Sequence, residues 1–136
     1  MHDLFEKADS LNNLIECFVY DAAKEEFPVK MHWHYFAEFI YVLHGAVDVT
    51  SDDCRYTVSE GECMILHPSA VHTLCTSDGS LPVYAVLKFD IGKFPRNASY
   101  APSPAEIFRY ARRSGMQTVF GAAQCETLRC REIFHD

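Results

Sequence analysis

Basic residues are scarce in this sequence, twelve Lys and Arg against nineteen Asp and Glu, for a net charge of −7. Such a chain has no global electrostatic footprint for nucleic acid or an anionic membrane surface. No stretch reaches the roughly 18 consecutive apolar residues of a spanning helix. The first residues, Met1-His2-Asp3-Leu4-Phe5-Glu6-Lys7, lack the basic region and apolar run of a secretion signal. An intracellular, cytoplasmic protein with no membrane partner is therefore expected. Paired cysteines at zinc spacing are absent among Cys17, Cys54, Cys63, Cys75, Cys125 and Cys130, so reduced, mostly structural thiols are predicted. Charged residues are only 23% of the chain and hydrophobic ones 49%, which argues against disorder. At 136 residues the chain is long enough for one domain with one core.

Residues 1–13 are polar and loosely patterned and read as an arm. From Leu14 the texture changes to short runs rich in Phe, Tyr, Val and Ile, punctuated by turn residues. Strands are predicted over 15–20, 29–35, 36–43, 46–50, 54–58, 63–66, 71–76 and 83–89, with Ser51-Asp52-Asp53 as a hairpin turn. Strands at this spacing imply an all-β sandwich or barrel over 14–92 rather than βαβ units.

A linker and helical segment follows over 93–136. Ser103-Pro104-Ala105-Glu106 forms a capping box ahead of Ile107, Tyr110 and Ala111, predicting a helix over about 104–114. Ala122 to Phe134 predicts a second helix, with Leu128, Ile133 and Phe134 in its apolar stripe. It reaches Asp136 without a C-cap signal, which fits either a fraying end or a polypeptide that continues.

The residues that carry chemistry are in His32-Trp33-His34-Tyr35-Phe36-Ala37-Glu38. His32, His34 and Glu38 have one parity, so on a strand they point together into one cavity, with Phe36 and Ile40 on its wall. Trp33, Tyr35 and Tyr41 have the other parity and are expected to pack beneath the helices. His72, on a later strand, can close the group from the opposite side. Three imidazoles and a carboxylate suit a divalent transition metal, Zn, Fe, Mn, Co or Ni, and leave two octahedral positions open. The same four side chains could instead form a hydrogen-bonded cluster lining an organic-ligand pocket. His44 and His67 lie beside turns and read as ordinary surface or loop residues, and Cys63 and Cys75 as small core fillers.

His32-x-His34-x-x-x-Glu38 with Gly45, then Gly61 with His72, resembles the two cupin motifs. Some positions depart from that pattern: Glu26 stands for the first glycine, Pro68 falls one residue late, Ser69 replaces an inner glycine and Thr76 a terminal Asn. The resemblance implies a double-stranded β-helix, or jelly-roll barrel, followed by two α-helices. Over residues 14–136 the chain is more similar still to the N-terminal sensor and dimerisation domain of AraC-type transcription regulators, through "YVLHG", "EGECMILHPSAVH" and "VLKFD". That likeness implies a small-molecule effector, a sugar or organic acid, bound in the barrel without catalysis. It also implies a homodimer through Ile107, Tyr110, Ala111, Leu128, Ile133 and Phe134, and DNA contact only through helix-turn-helix units that this sequence lacks. A stand-alone metal-dependent cupin enzyme of dioxygenase, isomerase or decarboxylase type, or a non-catalytic metabolite-binding cupin, is the alternative.

Overall fold

A computed structural model describes residues 15–33, 35–90, 104–115, 118–127 and 129. The elements run β1 (Ile15–Asp21), β2 (Val29–His32), β3 (Ala37–His44), β4 (Ala46–Ser51), β5 (Cys54–Ser59), β6 (Cys63–Leu66), β7 (His72–Cys75), β8 (Val83–Phe89), α1 (Pro104–Arg113), β9 (Val119–Phe120) and α2 (Ala122–Thr127). Two antiparallel sheets result, one ordered β1-β8-β3-β6-β9 and the other β2-β7-β4-β5. The pairs β1–β8, β2–β7, β3–β6 and β4–β5 are those of one long hairpin wound on itself. This is the jelly roll expected from the sequence, with two short helices after it.

The sheets face one another across a single apolar interior. Ile40, Val42, Met64, Leu66, Tyr84 and Val86 from the five-stranded sheet meet Val47, Val49, Val58 and Leu74 from the four-stranded one. Alternation along each strand puts these residues inside, and their burial is the principal source of stability. A second cluster on the outer face of the larger sheet joins Tyr41, Cys63 and Ala85 to Cys125 of α2.

The chain changes sheets at its turns. Gly45 takes φ +80 between β3 and β4, and Gly61 takes φ +82 between β5 and β6, a left-handed backbone that favours glycine. The β4–β5 hairpin turns through Asp52 and Asp53, both at positive φ as a two-residue primed turn requires. The predicted strand over 29–35 stops at His32, and residues 35 and 36 form a bend before β3. Strand β9, unassigned from sequence, pairs with Cys63 and Met64. Helix α1 forms as predicted, whereas Ser103, the arm at 1–13, and 130–136 of the second helical segment lie outside the described residues. Among the described residues no helix is long and apolar enough to cross a membrane, and Cys54 and Cys75 are free thiols.

Candidate functional site at one end of the barrel

Three of the four predicted ligands meet at one end of the sandwich. His32 of β2 lies directly opposite His72 of β7, and their rings pack edge to face with centroids 4.3 Å apart. Glu38 comes from β3 in the other sheet, and its Oε2 stands 3.8 Å from His72 Nε2. The shared parity of His32 and Glu38 is not what unites them, because the chain bends at 35 and 36 and the two residues belong to different sheets. Sandwich closure brings them together instead. His34 lies outside the described residues.

Two of the three are enclosed, whereas His32 is only half-buried. His72 is 1% exposed and Glu38 7%. His32 Nδ1 lies 2.7 Å from the Lys30 carbonyl, and His72 Nδ1 2.9 Å from the Ala70 carbonyl. A carbonyl can only accept, so each Nδ1 carries the proton and donates it. In the neutral ring each Nε2 then offers a lone pair, the tautomer of a metal-ligating histidine held by an outer hydrogen bond.

Two imidazole nitrogens so prepared, beside a carboxylate, fit a divalent transition metal by the chemistry of the donor set. His32, Glu38 and His72 are the described residues that would hold it. Among the described residues, no group of three or more His, Cys, Asp and Glu side chains already stands at coordinating distances.

The surrounding wall is apolar with one cation. Phe36 is 3% exposed, and Ile40, two residues beyond Glu38, is fully buried in the main core. Lys88 of β8 lies directly opposite Glu38, so the two share the inner face. Its ammonium sits 4.9 Å from the Phe36 ring centroid and 5.5 Å from that of Phe18. Lys88 was missed in the sequence reading, although the alternation Tyr84, Val86, Lys88 along β8 carries the signal. Tyr84 stacks on Tyr20 at 5.2 Å. Burial, with Tyr20 and Glu38 adding, pushes its phenol far above the ordinary value, so it stays a neutral hydroxyl.

Other expectations need correction. Tyr41 packs beneath α2, but Tyr35 is 63% exposed and stacks edge-on with Trp33 in the bend between β2 and β3. His44 is exposed beside Glu60, as expected for a turn residue, yet His67 is buried, its ring 6.0 Å from that of Phe108. Burial, then the nearby Arg112 charge, lowers the His67 pKa, opposed by Asp52. Ile107 and Tyr110 are 53% and 65% exposed on α1 and Ala111 is half-buried, while Leu128, Ile133 and Phe134 lie outside the described residues.

Comparison with known proteins follows the same outline. The family model described as Cupin domain matches residues 18–87. A cupin protein (BF4112) from Bacteroides fragilis is similar in structure, with a TM-score of 0.51 and 13% identity over 66% of this chain and 77% of that one. At that identity the likeness speaks for the fold. The EutQ protein of Clostridium difficile has 13% identity and a TM-score of 0.47 over 56% of this chain, which spans only 52% of that protein. The S161A mutant of Bacillus subtilis oxalate decarboxylase OxdC has 18% identity and a TM-score of 0.47 over 79% of this chain and 30% of that one. No curated protein matches the sequence. With the family model spanning half of the chain, from β1 to β8, on a jelly roll of eight paired strands, the chain belongs to the cupin family.

Proposed function

We propose that this cupin is the effector-binding and dimerisation module of an AraC-type transcription regulator, with a small organic effector in the barrel and DNA-binding units supplied by sequence outside this chain. The observation that carries the reading is a His32–Glu38–His72 group, with Glu38 and His72 buried, joined in one chain to a helix whose apolar Ile107 and Tyr110 face outward. The polar group orients the effector, Phe36 and Ile40 supply apolar wall, and the exposed helical face pairs with a second copy. The reading is tested by immunoblotting source cells with an antibody against this domain. A polypeptide about twice the 15.5 kDa of this chain is expected. A band at 15.5 kDa itself overturns the regulator assignment.

The Nδ1-donating tautomers favour a second reading, a metal-dependent cupin enzyme in which His32, Glu38 and His72, with His34, hold a divalent metal. A bound metal would supply Lewis-acid polarisation of a substrate oxygen. The chain's own part is to fix both imidazoles through their Nδ1–carbonyl hydrogen bonds and to wall in the substrate. Glu60 and Glu62 lie at the Gly61 turn, at the other end of β3 and β6 from Glu38, Glu60 beside His44 and Glu62 accepting the Ser59 N–H, so neither adds an acid–base group. Turnover of a small acid that depends on added metal and is lost in His72→Ala would put this reading first.

A further inference from the structure

The segment 67–71 links His72 to helix α1. At one end Ala70 receives the His72 Nδ1–H at 2.9 Å through its carbonyl and donates its own N–H to the His67 carbonyl at 3.2 Å. On its outer side the Pro68 carbonyl accepts from Arg112 of α1 at 3.4 Å, and the His67 ring faces Phe108 of the same helix. The β4–β5 turn completes the bracket. Asp52 donates its backbone N–H to the Val71 carbonyl at 3.4 Å, while its carboxylate accepts two bonds from Arg112, at 2.6 and 2.9 Å. The residue before it, Ser51, is the strand partner of His72.

We propose that this bracket is a latch through which the state of the His72 site sets how firmly α1 is docked on the barrel. The inference rests on the reading of His32, Glu38 and His72 as the ligand site and assigns it a regulatory output. Two features make α1 an element with docked and released states. Phe108 packs its ring on Phe89 at 5.4 Å and on His67, while Ile107 and Tyr110 face away. Its polar anchor, Arg112, reaches both segments that flank His72, the 67–71 loop through Pro68 and the β4–β5 turn through Asp52. A shift of His72 moves Ala70 and Ser51 together, and with them both partners of Arg112. Coupling of this kind is reciprocal.

Hydrogen exchange of the α1 amides, measured in the full chain, tests the latch. Asp52→Asn is expected to speed α1 exchange about tenfold relative to β4 and β5. His72→Gln, which touches only the far end, is expected to speed it about threefold, and to add nothing further in the Asp52→Asn background. Unchanged α1 exchange in His72→Gln, or effects of the two substitutions that simply multiply, overturns the latch. Should His72→Gln fail to fold, exchange of the wild-type His72 Nδ1–H read by NMR decides. Asp52→Asn must speed it about threefold, and an unchanged rate overturns the proposal. Zinc titration of the wild type is read separately: absence of zinc binding counts against the metal reading, whereas a broken coupling counts against the latch alone.

Discussion

Glu38 and His72 approach one another across the sandwich, Oε2 to Nε2 at 3.8 Å, from strands that share no ladder, β3 being bonded to β6 and β8 and β7 to β2 and β4. Their meeting depends on both sheets closing at once. Anything that loosens the closure loosens the site.

On the metal-holding reading, added cobalt or zinc binds, and Glu38→Gln, which changes a ligand, weakens that binding by at least about 10–100-fold, the range found when only a ligand's outer partner is changed. Isothermal titration gives the ratio, and an unchanged affinity removes Glu38 from the ligand set.

Leu66 is fully buried between the sheets opposite Glu38. Leu66→Ala should cost about 2–5 kcal/mol by lost burial and the cavity left behind, read as a lower urea midpoint at unchanged slope.

His67 gives the protein a mildly acid weakness. Burial, with Arg112 behind it, holds the folded-state pKa of this ring below its ordinary value of about 6.5. Between the two values the unfolded chain binds more protons than the folded one, so stability falls as pH drops through about 6.5 and levels off below the folded value. The Arg112 and Asp52 charges that face the ring make opposite contributions. Thermal unfolding between pH 8 and pH 5 should show a step that His67→Gln removes.

A charge placed on the outward face of α1 should dissociate the proposed dimer. Tyr110→Asp is expected to raise the dimer dissociation constant on the order of tenfold or more, as for an aromatic anchor in an interface, without lowering the melting temperature of the monomer, since Tyr110 is 65% exposed. Sedimentation velocity over a concentration series reads it.

Much of the barrel was legible because alternation and turn residues mark each strand: the strand runs predicted from 36–43 to 83–89 all recur within a residue or two as β3 to β8. The break after His32 was not legible, since Trp33 to Phe36 continues the aromatic texture without a turn residue. Two-residue β9 is too short to show any period. His32, Glu38 and His72 were found as a group by residue type and spacing, but the local reason offered, a common strand face, was replaced by a tertiary one. The burial of His67 depends on a helix that begins at Pro104, and Lys88 enters the site only through its register with Glu38. Neither relation has a local trace.

The pairing of β1 with β8 has a consequence for how the protein is made. β8 lies between β1 and β3, so the larger sheet has a gap down its middle until residue 89 has left the ribosome. Until then the apolar residues of β1 and β3 face water with unpaired edges, and β2 likewise waits for β7. The β4–β5 hairpin alone can form early from neighbouring sequence. Nascent chains stalled before Val83 therefore expose two strand edges open to pairing with other chains.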